Sequence, residues 1–397
     1  MNLPATVSPG TAATLLLCGR FGVMREGVSV LSPSKYNDLA LWLENHKLAF
    51  ADLLKPDVKA VLRAYQNKAE TIEHLHGLLR RTGDLLAALA RWQEMDIWVV
   101  GRTDARYPDR LNKRLKSAAL PLLFGAGPRA LLDGGGVCIV GSRDSSREGL
   151  DFARHLGGRC GAEGLTVVSS DMRGVDRDAV TAALDGGGRV ICVLSDCLEK
   201  TLAGRRHRAA FDAGNIVMVT PFSPETRFKV ANAIRANKYQ YALADVAVVV
   251  ETRQTGGVWL GADENRNESW VPAFVHVGDK MAAGNMALLH LGLMPITMQD
   301  VDRAESLRTF FVEQGLQAKT RRRRGPASPA SQQGMPADLY SIFQAELRAL
   351  GRSRALCIDD IAAMFGIERV QAEKWIARAV ADGILVERAA DGTYAVD

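Results

Sequence analysis

Paired cysteines are missing from this sequence. Cys18, Cys138, Cys160, Cys192, Cys197 and Cys357 show no CxxC spacing, and the seven histidines form no HExxH pattern, His74 and His76 being the one HxH pair. Both absences argue against a structural zinc or a metallohydrolase. Cys138 and Cys192 fall inside apolar runs and read as small buried hydrophobes in a reducing compartment. Long apolar runs are missing too: none approaches the roughly 18 to 20 residues needed to cross a bilayer. No basic segment precedes Leu15, Leu16 and Leu17, as it would in a secretory signal. The expectation is a cytoplasmic protein without a membrane partner. Neither GxGxxG nor GxxxxGK[ST] occurs, so a nicotinamide or flavin enzyme and a P-loop NTPase both lose ground, and no cofactor is expected.

What is present is ordinary globular material. The 397 residues are 47% hydrophobic, 24% charged and only 6% aromatic, a composition that excludes disorder as the main state and allows two to four domains. The net charge of +5 mildly favours a polyanionic partner, so the position of the charge matters more than its sum.

Up to about residue 95 the apolar positions fall at helical spacing, as in Leu39, Trp42, Leu78, Leu79, Leu85 and Leu89, which predicts a helical module over 1–95. Short Val- and Ile-rich runs then recur over 97–100, 137–142, 165–170, 189–195, 215–222, 246–252 and 271–277. Several are apolar at nearly every position, the pattern of strands covered on both faces. Segments 148–161, 175–184 and 203–213 between them suit crossover helices. The reading is an α/β doubly wound parallel sheet over 96–300.

Residues 301–335 are read as a basic, Pro- and Ser-rich linker around Arg321, Arg322, Arg323 and Arg324. It is a solvated tether or one that also touches phosphates. The last unit, 336–397, is expected to form helices at 339–350, 358–364 and 368–382, a tight turn at 365–367, and a hairpin around Asp391 and Gly392. That is the layout of a winged helix. Its seven basic residues stand against ten acidic ones, which favours contact with protein over base reading.

In a doubly wound sheet a ligand lies beyond the carboxyl ends of the strands. One run ends in Gly141, Ser142 and Arg143: a glycine that admits an anion to the backbone, a hydroxyl donor and a guanidinium fork. Helix capping by Ser145 or Ser146 is the structural alternative for the same turn. A second run ends in Ser170, Arg173 and Gly174, followed by Asp176. A third is followed by Thr255, Gly256 and Gly257, successive NH groups suited to a phosphate or a base edge. Arg235, Asn237 and Lys238 precede it on a helix. If these cations share a rim, they make a positive groove.

The order of these motifs resembles the DNA-processing protein A family (DprA, also called Smf). The resemblance runs through Tyr107, Pro108 and Leu111, then Ile139 to Arg143 for the family's IVGSR. It continues with Ser169, Ser170, Arg173 to Asp176, Ala179, Ala183 and Leu184 on SGxAxGIDxxAHxxAL, and with Asn237 and Lys238 on the end of RNR or RNK. Gly256, Gly257, Trp259, Gly261, Ala262 and Glu264 are similar to the GGTWxGAxE form of a divergent branch. Departures are Ser170, Met172, Val180 and Ala236, where the family has glycine, alanine, histidine and arginine.

The resemblance implies a Rossmann-like fold that binds single-stranded DNA, a homodimer, and a RecA-like recombinase as partner. The divergent branch implies antiphage defence or a cognate phosphoribosyltransferase-like toxin. Three functions stay open at this point. The first is a non-enzymatic DNA-binding protein. The second is an antitoxin-like regulatory subunit. The third is a nucleotide phosphoribohydrolase-like enzyme using Asp176 or Glu251. For Asp176 the competing role is capping or a salt bridge to Arg173.

Overall fold

The computed structural model describes residues 3–22, 29–65, 72–323, 347, 357–365, 369–388 and 393–396. The chain opens with helices α1 (Pro9–Cys18), α2 (Pro33–Asn45), α3 (Val58–Ala64), α4 (Ile72–Leu79) and α5 (Thr82–Glu94). Ser8 and Ser32 start the first two: each hydroxyl accepts an orphan backbone N–H, and each is followed by a proline in the first turn.

From Ile97 the chain alternates between strand and helix. The elements are β1 (Ile97–Gly101), α6 (Asp109–Leu115), β2 (Leu122–Ala126), β3 (Val137–Val140), α7 (Arg147–Ala162), β4 (Val167–Ser169), α8 (Val175–Asp185) and β5 (Val190–Val193). Then follow α9 (Leu198–Ala203), α10 (Arg208–Asp212), β6 (Ile216–Thr220), α11 (Val230–Leu243), β7 (Val246–Val249) and α12 (Gly257–Glu268). The body ends with β8 (Ala273–His276), α13 (Ala283–His290), β9 (Met294–Ile296), α14 (Met298–Arg303) and α15 (Leu307–Arg323).

The nine strands form one sheet in the order β1-β2-β6-β5-β4-β3-β7-β8-β9. Strands β6 to β9 in that order are parallel, and β2 is antiparallel to both β1 and β6. Successive residues of the parallel strands enter opposite cores. Ile139, Val167, Val190 and Val248 face one with α7, α8 and the N-terminal helices, whereas Val140, Val168, Ile191 and Val249 face the other with α11. Each such side chain contributes about 1.5–3 kcal/mol relative to exposure, which is why the strands are apolar throughout. The helices α7 and α8 approach closely because Gly157 and Gly161 lack side chains; a Cβ at either would lie 2.4 Å from a carbonyl oxygen of α8.

Three sequence expectations need correction. Strands β2 and β9 are not among the expected runs, although Leu122, Leu123 and Phe124 carry an apolar signal. The single crossover helix expected over 203–213 is instead α9 and α10, separated by an exposed connection around Arg205 and Arg206. Residues 301–323, read as the start of the linker, complete α14 and form α15. Leu307 and Phe311 are buried, with Phe311 edge-on to Phe274 at 5.3 Å, so apolar spacing along one helical face outweighs the arginines that follow.

In the C-terminal unit α16 (Ile358–Phe365), α17 (Arg369–Ala381) and the hairpin of β10 (Leu385–Arg388) with β11 (Thr393–Val396) enclose Leu347, Ile361, Ala372, Ile376, Ala379, Ile384 and Leu385. The rest of the helix expected over 339–350, the turn at Gly366 and Ile367, the hairpin tip at Asp391 and Gly392, and linker residues 324–335 lie outside the described residues. Among the described residues no helix is long and apolar enough to cross a membrane.

Candidate nucleic-acid interface

The chain runs from β3 through β4 and β5 to β6 on one side, then returns to place β7 on the other side of β3. Connections leaving β3 and β7 therefore diverge, and a crevice opens between them at the carboxyl ends, where such sheets take ligands. Here lies a cleft of about 310 Å³, lined by the turns after β3, β4, β5 and β7 and by one face of α11.

The turn after β3 is held from below. Ser142 N donates to Glu251 O at 2.9 Å. Ser146 caps α7 by accepting from Gly149 N, and the Glu251 carboxylate accepts from Ser146 N at 2.9 Å and from the Ser145 and Ser146 hydroxyls at 2.8 and 2.6 Å. The capping alternative thus holds for Ser146, while Gly141, Ser142 and Arg143 remain at the cleft wall. Arg143 is exposed and lies over the Phe228 ring, 5.0 Å from its centroid, a cation–π contact that limits where the guanidinium can swing.

Beneath this turn sits Asp176, 6% exposed. Its carboxylate accepts from Gly141 N at 3.1 Å and from the Ser170 hydroxyl. Burial pushes the carboxyl up to about 6, against the pull of the Ser170 and Gly141 hydrogen bonds. The salt bridge between Asp176 and Arg173 does not form: Arg173 pairs with Asp144 at 2.5 Å, both exposed. Gly174 serves as a spacer under the turn. It has φ of 96°, and a Cβ there would lie 2.6 Å from Ser142 O and 2.8 Å from Arg143 Cα.

On the opposite wall α12 starts at Gly257, behind Gly256 in a left-handed conformation with φ of 91°. Asn237 donates its amide to Gly257 O at 2.6 Å and so ties α11 to that start. Asn285 bridges from α13, accepting from Thr252 N and donating to Val250 O and His276 O. The N-terminal NH groups of α12 thus face the same crevice as Arg143.

Eight of the expected residues line one cleft: Gly141, Ser142, Arg143, Ser170, Asn237, Thr255, Gly256 and Gly257. Arg173, Gly174, Arg235 and Lys238 are not among its lining. Arg235 is 6.0 Å from the Phe222 ring. Burial lowers the pKa of the Lys238 ammonium, with Glu264 beside it opposing the shift. A helix presents residues 235 and 238 on a different face from 233, 236, 237 and 240, and it is the latter set that lines the cleft.

The sequence reading missed Arg253, Phe228, Ser195 and Gln240, all of which line the cleft. Arg253 follows β7 as Arg143 follows β3, so the same strand-end rule could have found it. Phe228 lies between Arg227 and Lys229, the basic–aromatic interleaving of single-strand binders. Gln240 is 2% exposed, and its Oε1 has no hydrogen-bond partner among the described residues; nothing in its spacing marks it.

No curated protein matches the sequence. In fold, the chain is similar to DNA processing protein A (DprA) from Streptococcus pneumoniae, with 19% identity, a TM-score of 0.57, and coverage of 74% of this chain and 97% of that one. DNA processing protein A from Helicobacter pylori, described for its single-stranded DNA binding mode, gives 19% identity over 54% of this chain and 95% of its own, with a TM-score of 0.44. The family model for DNA recombination-mediator protein A matches residues 98–303, from the first strand to the end of α14 and so across every turn that lines the cleft. Over half its length, therefore, this chain is a member of the DNA recombination-mediator protein A family.

Proposed function

We propose that the protein binds single-stranded DNA by its sugar–phosphate backbone in the cleft between the turns after β3 and β7. The observation that carries the reading is the convergence of Arg143, Arg253 and the exposed NH groups at the start of α12 on one crevice at the topological switch. Arg143 and Arg253 supply charge, the Gly256–Gly257 backbone supplies directed donors, and Phe228 offers a ring face for a base. Arg173, Arg235 and Lys238 are supporting charges outside the cleft in this scheme. The two candidate acid–base groups are tied up as struts, Asp176 under Gly141 and Glu251 under Ser146, which favours a binding protein over a phosphoribohydrolase.

The physiological setting proposed is recombination or antiphage defence, in which a homodimer offers its C-terminal unit to a RecA-like recombinase or a cognate toxin. What supports the defence setting is the divergent-branch segment from Gly256 to Glu264. The test is filter binding of single-stranded and duplex DNA at several salt concentrations. Arg143→Ala and Arg253→Ala should each weaken single-strand binding by about tenfold, or 1.4 kcal/mol. Each should also lower the slope of log K against log salt by about 0.7 for every phosphate no longer neutralised. Wild-type affinity and slope in both variants would remove the cleft from the interface.

A further inference from the structure

The connection between α9 and α10 carries Arg205, Arg206 and His207, and Arg208 opens α10, a basic run that a plain crossover helix does not require. Arg205 and Arg206 are exposed, and the Arg205 side chain makes no ion pair or hydrogen bond among the described residues. Arg208 is engaged by Asp212 at 3.1 Å. His207 is instead buried, its side chain 6% exposed, and its Nε2 lies 2.9 Å from Asp171 Oδ2, itself on a side chain 8% exposed. Arg206 reaches the same oxygen at 3.5 Å, and Arg177 Nε stands 4.0 Å from the other. One carboxylate thus meets three basic side chains.

Asp171 stands between Ser170 and Met172, both of which line the cleft. It adopts a left-handed conformation with φ of 55°, uncommon outside glycine. The basic connection is therefore fastened by a buried polar pair to the residue that separates two parts of the cleft wall. This geometry fixes the connection next to the part of the cleft wall formed by Ser170 and Met172.

We propose that Arg205 and Arg206 form a second backbone contact for the DNA strand held in the cleft, and that the buried His207–Asp171 pair positions them. The inference rests on the cleft reading above and extends its footprint beyond the nucleotides inside the cleft. A strand too short to leave the cleft does not reach these arginines; a longer one does.

The experiment uses the full chain with oligothymidylates of about 4 and about 16 nucleotides, the span of single-strand site sizes on small modules. In Arg205→Ala/Arg206→Ala, affinity for the longer strand should fall about tenfold or more, and its salt slope by about 1.4 for two phosphates. The shorter strand should bind as to wild type. His207→Ala should reproduce that length-selective weakening, and His207→Gln, which keeps a donor toward Asp171, should restore much of the affinity. Unchanged long-strand binding in the double variant, or equal weakening for both lengths, would overturn the second contact while leaving the cleft standing. If the wild-type protein binds neither length, the cleft reading fails, and this one with it.

Discussion

Gly174→Ala is expected to damage stability and DNA binding together. Gly174 precedes α8 with φ of 96° and ψ of −140°, a region that costs an L-residue about 1–3 kcal/mol. The added methyl would also lie 2.6 Å from Ser142 O, 2.7 Å from Arg143 O and 2.8 Å from Arg143 Cα. All three are backbone atoms, so relief requires the turn itself to move, at a further cost of about 1–3 kcal/mol. Together these are a sizeable share of a typical stability of about 5–15 kcal/mol. Urea unfolding should show a lower midpoint with an unchanged m-value. Under conditions where the variant remains folded, single-strand affinity should drop as far as in Arg143→Ala, because Arg143 is displaced from the crevice. Gly187→Ala is the control. Gly187 also has positive φ, at 76°, but a Cβ there meets nothing within 4 Å, so it should lose only about 1–2 kcal/mol from the backbone conformation and bind normally. A Gly174→Ala protein with wild-type midpoint and affinity would refute the view that this glycine sets the position of Arg143.

Two further outcomes concern the carboxylates near the cleft. The Asp176 carboxyl lies at about 6 in the fold, against an ordinary 3.8, so the folded state holds its proton more tightly than the unfolded chain. Its stabilising contribution is complete below about pH 4 and is lost as pH rises through about 6, some 3 kcal/mol in all. Asp176→Asn should flatten that part of a stability–pH curve measured by urea unfolding, and an unchanged curve would contradict the assignment. Glu251→Ala removes the acceptor of three hydrogen bonds from Ser145 and Ser146 and should cost about 1–3 kcal/mol. Its check is the unfolding midpoint beside an assay for free base released from nucleoside monophosphates. A nucleotide-cleaving activity present in the wild type and absent from this variant would give Glu251 a catalytic role.

The amino-acid order alone determined that a doubly wound sheet forms. Strands such as β3 and β7 bury side chains on both faces, so every residue must be apolar, and that demand is written locally in Val246, Ala247, Val248 and Val249. The turns after these strands were legible for a related reason: glycine at 141 and 256 answers a local need for close approach or positive φ. What local pattern could not decide was direction in space. Arg143 and Lys238 read alike as cations near strand ends, yet one lines the cleft and the other lies beside Glu264, because helix rotation is set by which face of α11 packs on the sheet. The same holds for Asp144, which takes Arg173 away from Asp176, and for Asp171, which gathers His207 from a segment far along the chain. Such pairings join residues remote in sequence, so only the closed tertiary structure selects among them.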